Sequence, residues 1–441
     1  MRNSLLLTGA LLANASVMAA EQKQPNIVVI FCDDLGYGDI GCYGHPTIRT
    51  PRLDQMAHEG MRLTQFYVGA SVSTPSRGAL LTGRMPIRNG TNYVYFPDDK
   101  GGLNPWEITL AEQLGSAGYK TGIFGKWHLG HKPEYLPLAQ GFDEYFGIPY
   151  SNDMNPPANV YRNTELVPLS LYDGDKIIEN SPDQSQFTQR FTNKAIEFIK
   201  ENKENPFFVY LAQPMPHHPL SASEAFLGKS KRGLYGDVVE ELDFNVGRLL
   251  DTLREEGLDQ NTLVIFTSDN GPWLSMNQEG GTGGILHEGK ATSWEGGHRS
   301  ACIMWGPALV KPGTISMGVF SSLDFFPTFS HMAGIELPKD RIYDGVDILP
   351  LLQDEYFEVD RALPYYWNEK LHAIRRGSYK LRVRYVNDPY RTGFKDHAWE
   401  TPRLYNLDVD PTEQYNIADK HPEIVEALLK DIEEHKASLK K

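Results

Sequence analysis

The 441-residue chain contains 40% hydrophobic and 23% charged residues, which is typical of a folded globular protein rather than a disordered or fibrous one. Its formal net charge of −14 argues against a nucleic-acid-binding protein, because such proteins neutralise phosphates with a basic face. Any attraction for an anionic ligand must therefore be local, from cationic side chains concentrated in a pocket.

The N-terminus has the features of an export signal. Arg2 precedes the apolar stretch 5–18, and the small residues Ala19 and Ala20 suit a signal peptidase. We expect residues 1–20 to be a cleaved signal peptide and the mature protein to be periplasmic or secreted. No later segment approaches the roughly 20 continuous apolar residues of a spanning helix, so stable membrane insertion is not expected.

From residue 25 onward, short β-rich runs alternate with helical patterns, which predicts a mostly parallel sheet covered by helices. Runs rich in Ile, Val, Phe and Leu, typical of strands buried on both faces, occupy 26–32, 119–124, 207–212 and 262–268. Polar groups follow them in turn: Asp33-Asp34, Lys126-Trp127-His128, His217-His218 and Asp269-Asn270-Gly271. Because the carboxyl ends of parallel strands share one edge of the sheet, we expect these groups to converge there.

The last hundred residues have a different pattern. An alternating segment at 379–386, a strand at 403–407 and an amphipathic helix from Pro422 predict a smaller antiparallel unit. We therefore expect a large N-terminal domain at 21–345 and a C-terminal subdomain at 346–441.

The segment from Ser73 to Arg84 predicts the start of a helix. Ser73 is a suitable N-cap, Pro75 fits the first turn, and Gly83 provides a C-terminal stop. Arg77, four residues after Ser73, should project from the same face. This arrangement puts a permanent cation beside a hydroxyl at the positive end of a helix, where anions bind.

The complete string, Ser73-x-Pro75-Ser-Arg77 followed after four residues by Thr-Gly, resembles the signature of the type I sulfatases. The similarity extends from about Asn26 to the C-terminus. The stretch 36–45 is similar to the branch that includes arylsulfatase A and N-acetylgalactosamine-6-sulfatase. The resemblance implies an alkaline-phosphatase-like fold, with a large mixed sheet between helices and a small C-terminal antiparallel sheet. It also implies an exo-acting sulfatase that hydrolyses sulfate esters of galactose- or N-acetylgalactosamine-type sugars.

In that family, the residue at the position of Ser73 is oxidised to an aldehyde, formylglycine, which exists as a hydrate. One hydrate oxygen attacks sulfur, and the remaining hydroxyl expels sulfate as the aldehyde re-forms. A serine precursor implies a bacterial, radical-type maturation enzyme as a transient partner. An alternative origin for Ser73 is an engineered replacement of the cysteine that other members of the family have at this position.

The oxygen ligands at two strand ends suit a hard cation such as calcium or magnesium. By resemblance, the metal is Ca²⁺, with Mg²⁺ as the alternative, and its ligands are Asp33, Asp34, Asp269, Asn270 and the oxidised Ser73. Zinc is disfavoured, because no His or Cys cluster accompanies these residues.

The remaining catalytic roles also come from the resemblance. The Gly125-Lys126-Trp-His128-Leu-Gly130 element implies that Lys126 contacts the sulfate and that His128 holds or deprotonates the nucleophile's hydroxyl. His217, in His-His-Pro, is expected to protonate the departing alcohol. The element that begins at Gly289-Lys290 resembles a family element whose lysine binds sulfate, which implies that Lys290 also contacts the sulfate.

The substrate residues are less defined by sequence. The loop 148–153 resembles a loop of the family whose serine touches the sulfate, which makes Ser151 a candidate for that contact. Four exposed-looking residues are candidates for holding the sugar: Asp153, His298, His397 and Trp399. Two other functions stay open at this point. One is phosphomonoester or phosphodiester hydrolysis, and the other is a non-catalytic sulfoglycan-binding protein in which Ser73 is never oxidised.

Overall fold

A computed structural model describes residues 24–155 and 167–440. The predicted signal peptide at 1–20 lies outside the described residues. The described helices are α1 Pro51–Glu59, α2 Ser73–Thr82, α3 Pro86–Asn89, α4 Leu110–Gly115, α5 Phe187–Glu201, α6 Leu234–Glu255, α7 Glu295–His298, α8 Phe325–Met332, α9 Pro389–Thr392 and α10 Pro422–Ser438. Within the described ranges, none of these combines the length and the apolar character needed to cross a bilayer.

The strands form two sheets. Their bounds are β1 Asn26–Cys32, β2 Met61–Tyr67, β3 Lys120–Lys126, β4 Glu144–Ile148, β5 Ser170–Asp173, β6 Lys176–Asn180, β7 Phe207–Ala212, β8 Thr262–Ser268, β9 Arg299–Trp305, β10 Thr314–Ser316, β11 Phe320–Ser321, β12 Ala362–Trp367, β13 Lys370–Arg376, β14 Tyr379–Tyr385 and β15 His397–Asn406. Three of the four predicted buried runs coincide with β1, β7 and β8. The fourth, predicted at 119–124, is β3 and extends to Lys126, so this lysine ends the strand instead of following it.

The large sheet has the order β10-β2-β9-β8-β1-β7-β3-β4-β5-β6, with β11 beside β2. The central strand β1 is parallel to both β7 and β8, and β3 is parallel to β7 and β4. Antiparallel pairs occur where β9 joins β8 to β2 and where β5 joins β4 to β6. The predicted mostly parallel sheet is therefore confirmed, and the shared carboxyl edge of β1, β3, β7 and β8 is available for a site.

Helices cover both faces of this sheet, because successive side chains of a strand point to opposite sides. On β1, Val28 and Ile30 face a core packed with side chains from α1, α5 and α6. Ile27 and Val29 face the opposite core, which contains side chains from α2, α4 and α8. This double burial holds the strand ends in place.

The smaller sheet is antiparallel, in the order β12-β13-β14-β15, and α10 contributes Leu428 and Ile432 to its core. The predicted helix from Pro422 is confirmed. The strand predicted at 403–407 is longer than expected. Beyond an irregularity in the β14 register, His397 and Ala398 still pair with Tyr385 and Arg384, so β15 begins at residue 397.

The start of α2 differs from the prediction. Val72 is the N-cap, and Ser73 is already the first helical residue. The Ser73 hydroxyl does not cap the helix, because it hydrogen-bonds to two carboxylates from neighbouring strand ends. The predicted stop is correct, since Gly83 adopts φ 65° and its N–H bonds back to the Ala79 carbonyl.

Candidate active site

The Ser73 hydroxyl lies at the centre of the convergent strand ends. Its Oγ is 2.9 Å from Asp33 Oδ1, after β1, and 2.7 Å from Asp269 Oδ2, after β8. Lys126 Nζ, at the end of β3, lies 3.2 Å from the same Oγ. Strands separated by more than two hundred residues in the chain therefore position one buried hydroxyl.

Three cations accompany three carboxylates around this hydroxyl. Arg77 donates to Asp269 at 2.8 Å, Lys126 forms a close ion pair with Asp33, and Lys290 donates to Asp34 at 2.8 Å. All six side chains are at most 6% exposed, so solvent does little to screen them. We call this group the Ser73 site; it contains Ser73, Asp33, Asp34, Asp269, Asn270, Arg77, Lys126 and Lys290.

Burial and close charges shift the pKa values of this site in opposite directions. Burial would raise the pKa of Asp33, but Lys126, His217 and Arg77 hold it well below its usual range. Burial and the neighbouring Asp33 raise the pKa of Asp269 to about 7. Burial also lowers the pKa of Lys126, even though Asp33 opposes that change. The raised pKa of Asp269 therefore comes mainly from burial, and the like charge of Asp33 adds to it.

The residues predicted as metal ligands lie together. Asn270 donates from Nδ2 to Asp34 Oδ1 at 2.7 Å, and Asp269 Oδ1 accepts from the Asp34 backbone N–H at 3.2 Å. The Asn270 Oδ1 atom is buried and has no hydrogen-bond partner. An unpartnered amide oxygen beside three carboxylates fits a divalent cation that prefers oxygen ligands. Asp33, Asp34 and His217 also lie close enough together to hold a metal ion.

His128 has one free ring nitrogen. Its Nε2 lies 2.9 Å from the Tyr95 carbonyl and must carry the hydrogen, whereas its Nδ1 is buried without a partner. Burial, followed by the charge of Lys126, lowers the pKa of His128 well below its ordinary value. The ring is therefore neutral, with a lone pair on Nδ1. Its φ of 62° is a left-handed conformation that costs about 1–2 kcal/mol outside glycine.

His217 forms a pair with Lys290. Its Nδ1 faces the His218 carbonyl, and its Nε2 lies 2.8 Å from Lys290 Nζ. Burial and Lys290 lower the pKa of His217 to about 3, so the ring is neutral and Nε2 accepts from the lysine. The Trp273 ring packs on both members, 5.3 Å from the His217 ring and 4.2 Å from Lys290 Nζ.

Close backbone packing brings the Lys290 loop to the Asn270 strand end. A Cβ on Gly271 would lie 1.7 Å from the Gly296 carbonyl oxygen, and one on Gly296 would lie 2.0 Å from the Glu288 carbonyl oxygen. A side chain at either position is therefore excluded, and the glycines serve packing rather than chemistry.

A cavity of about 640 Å³ opens onto the Ser73 site. Ser73, His128, His217 and Lys290 line its inner end. Sequence reasoning missed a set of aromatic lining residues that we call the aromatic wall: Tyr93, Trp273, Trp367, Tyr390 and Phe394. Trp273 could have been predicted to lie near the site, because it follows the predicted metal ligand Asn270 by three residues. The residues from the C-terminal unit had no such sequence signal.

The predicted substrate residues divide into two groups. Ser151 and Asp153 line the cavity, and Ser151 Oγ accepts from Lys126 Nζ at 3.0 Å. His298 is not among the cavity-lining residues; it is 2% exposed and packs 4.9 Å from the Tyr365 ring. The expectation that it is exposed is wrong, because α7 leads directly into the buried strand β9. His397 and Trp399 also lie outside the cavity, where both stack on Tyr385.

Buried cations, oxygen ligands and a hydroxyl at the carboxyl edge of this mixed sheet define a hydrolase of anionic esters with an alkaline-phosphatase-like fold. A family model described as Sulfatase matches residues 25–335, and another described as the C-terminal region of aryl-sulfatase matches residues 358–441. The chain therefore belongs to the sulfatase family, and it is a sulfuric ester hydrolase.

Comparisons along the whole chain agree. N-acetylgalactosamine-6-sulfatase of Rattus norvegicus is 38% identical over 99% of this chain and 90% of its own length. Arylsulfatase A of Homo sapiens is 40% identical over 95% of this chain and 89% of its own length. The crystal structure of PsFucS1 sulfatase from Pseudoalteromonas sp. has a TM-score of 0.87 at 29% identity, covering 95% of this chain and 91% of that one. The predicted family and the predicted fold are confirmed.

Proposed function

We propose that this protein is an exo-acting carbohydrate sulfatase that removes sulfate from a galactose- or N-acetylgalactosamine-type sugar, using an oxidised Ser73. The observation that carries the proposal is the position of Ser73 Oγ, which is within hydrogen-bonding distance of Asp33, Asp269 and Lys126. The sugar preference is supported by the similarity to N-acetylgalactosamine-6-sulfatase.

The charge balance supports an anionic substrate. The three carboxylates and three cations of the Ser73 site cancel, so a bound divalent ion makes the site net positive. We propose Ca²⁺, with Mg²⁺ as the alternative, held by Asp33, Asp34, Asp269, Asn270 and the oxidised residue 73. When bound there, the ion would polarise the hydroxyl at position 73. The unpartnered Asn270 Oδ1 is the support from this chain.

Oxidation of Ser73 to formylglycine supplies a hydrated aldehyde with two hydroxyl groups. One hydroxyl attacks sulfur, and the other then expels sulfate as the aldehyde re-forms. Arg77 and Lys126 then orient the sulfuryl oxygens and offset the charge that develops on them. Both are fully buried, which strengthens that interaction. Lys290 acts at the opposite end of the site, beside Asp34.

Two histidines move protons in this proposal. The free Nδ1 of His128 accepts the proton from a hydroxyl at position 73, because its Nε2–H is already committed to Tyr95. Lys290 is the proton source for the departing alcohol: His217 Nε2 takes a proton from Lys290 Nζ and passes it to the alcohol oxygen, which leaves Lys290 neutral. Both histidines and the lysine line the cavity that the leaving group would occupy.

Several further expectations complete the proposal. A radical-type maturation enzyme would oxidise Ser73 as a transient partner, and the signal-like residues 1–20 would direct export to the periplasm or beyond. The larger domain would end near residue 345. Phosphomonoester hydrolysis is disfavoured, because the resemblance implies that in sulfatases cationic side chains, here Lys126 and Lys290, replace the second metal ion of the related phosphatases.

The deciding experiment is mass spectrometry of the Ser73 peptide, from protein produced with a radical-type maturation enzyme, together with sulfate release from a panel of regiospecifically sulfated monosaccharides. We expect a loss of about two mass units at residue 73 and turnover that tracks the oxidised fraction. An unmodified serine in protein from the native host would favour the non-catalytic sulfoglycan-binding function. Faster cleavage of aryl phosphates than aryl sulfates would favour the phosphatase alternative.

A further inference from the structure

Aromatic side chains that line the cavity pack against one another. The Trp273 and Tyr390 rings lie with centroids 4.8 Å apart, and Phe394 lies 5.6 Å from Tyr390. Tyr390 comes from α9 and Trp273 from the loop after β8, so two distant parts of the chain form one wall. Aromatic faces pack well against the apolar face of a sugar ring.

Besides His128 Nδ1, three buried polar atoms of the described cavity-lining residues lack a protein partner. They are Asp153 Oδ1, Asn92 Oδ1 and Trp273 Nε1. Two of these atoms accept hydrogen bonds and one donates. Because an unsatisfied buried polar atom is costly, this set suits a ligand that brings its own hydroxyl groups.

The described lining of the cavity contains one carboxylate. Among the lining residues within 24–155 and 167–440, the carboxyl and amino side chains are those of Asp153 and Lys290. Lys290 lies 2.8 Å from Asp34, and among the described residues no cationic side chain forms an ion pair with the Asp153 carboxylate. The net charge of −14 adds a long-range repulsion of polyanions.

We infer that the leaving group is a sugar unit with hydroxyl groups and no second charge, and that Asp153 determines this specificity. The inference rests on the proposed sulfatase function and deepens it. Asp153 accepts a hydrogen bond from a sugar hydroxyl while the ring packs on Trp273 and Tyr390. A second sulfate or a carboxylate on the same unit would lie close to the Asp153 charge.

The test compares kcat/KM for the best monosulfated sugar of the panel with that for the same sugar carrying a second sulfate. With the oxidised wild-type protein, we expect the bis-sulfated sugar to be at least about tenfold worse, the effect of a like charge at short range. The variant Asp153→Asn should reduce this discrimination about tenfold and weaken turnover of the monosulfated sugar. Asp175→Asn, which removes an exposed carboxylate in the β5–β6 turn, should leave both values unchanged.

The outcomes separate the inference from the proposed function. Equal or better turnover of the bis-sulfated sugar by the wild-type protein overturns the inference alone, as does an unchanged ratio in folded Asp153→Asn protein. The wild-type comparison is decisive even if that variant does not fold. Absence of sulfate release from every sugar by protein that carries the aldehyde overturns the proposed function, and the inference with it.

Discussion

Two of the buried charge clusters in the described part of the chain differ in a useful way, because one of them has the features of an active site and the other does not. The Ser73 site lies at the carboxyl edge of the large sheet. The second cluster, here called the Glu295 cluster, joins the two sheets and consists of Glu295, Lys380, Arg382 and Glu413. Lys380 lies 2.9 Å from Glu295 and 3.1 Å from Glu413, and all three side chains are fully buried.

The two clusters differ in the hydrogen bonding of Glu295 and Asn270 and in their access to the cavity. Both carboxylate oxygens of Glu295 have donors, Lys380 and Tyr365 on one and Tyr67 on the other. None of the four residues of the Glu295 cluster lines the cavity. The Ser73 site opens onto the cavity, and its Asn270 Oδ1 has no partner.

Burial and shifted pKa values are therefore shared by the Glu295 cluster and the Ser73 site. Each cluster also has a buried polar atom without a partner, Arg382 Nε in one and Asn270 Oδ1 in the other. Access to the cavity is what distinguishes the proposed catalytic site, because only groups that a ligand can reach gain interactions when it binds. Variants that treat the two clusters alike should consequently affect different properties: catalysis at Ser73 and stability at Glu295.

Removal of the hydroxyl should separate the clusters most clearly. Ser73→Ala should lower kcat/KM for sulfate release by at least about 10⁴-fold, because no aldehyde can form at residue 73. The matched variant Ser293→Ala, whose hydroxyl contacts His372 and Arg382, should cost about 1–2 kcal/mol of stability and keep wild-type kcat/KM. Sulfate-release kinetics and urea unfolding measure the two effects. Comparable turnover by Ser73→Ala would contradict the nucleophile assignment.

Removal of one lysine from each cluster gives a sharper contrast. Lys126→Met should reduce kcat/KM of the folded protein about 10²- to 10³-fold through lost stabilisation of the sulfuryl charge. It should also lower stability, because among the described residues it leaves the buried Asp33 with only Arg77, at 3.7 Å, as an ion-pair partner. Lys380→Met should destabilise the fold by about 3–5 kcal/mol and keep the kcat/KM of the folded protein, because it leaves the buried Glu295 and Glu413 without their shared cation. Kinetics below the unfolding transition, combined with denaturation curves, compare the two. A catalytic loss of similar size in folded Lys380→Met would give the Glu295 cluster a role in turnover.

The pH dependence of stability should report the Glu295 cluster. Burial would raise the pKa of Glu295, but Lys380 and Arg375 lower it to about 2. Because the folded pKa lies below the unfolded one, the stabilisation is complete above pH about 4.5 and is lost as the pH falls towards 2. It amounts to about 3 kcal/mol. The gap in unfolding free energy between wild type and Glu295→Gln should shrink from pH 6 to pH 3. A constant gap over that range would show that Glu295 is not held ionised.

Much of the Ser73 site could be predicted from the sequence for a physical reason. Parallel strands buried on both faces are recognisable as apolar runs, and their carboxyl ends must share an edge. Asp33, Lys126, His217 and Asp269 were therefore expected together before any distance was known. The N-cap was predicted one residue late, at Ser73, since its hydroxyl could serve the helix or the strand-end carboxylates equally well on sequence grounds.

The rest required the tertiary structure. His298 has no sequence feature that distinguishes a buried ring from an exposed one, and Tyr390 lies more than a hundred residues from Trp273 without any shared spacing. Local sequence patterns thus specify the strands, the polar residues at their carboxyl ends and the motif that contains Ser73, because each of these depends on residues that are neighbours in the chain. Long-range packing between the two sheets forms the aromatic wall and the Glu295 cluster. It also determines which buried charged side chains have access to the cavity, and no local pattern encodes it.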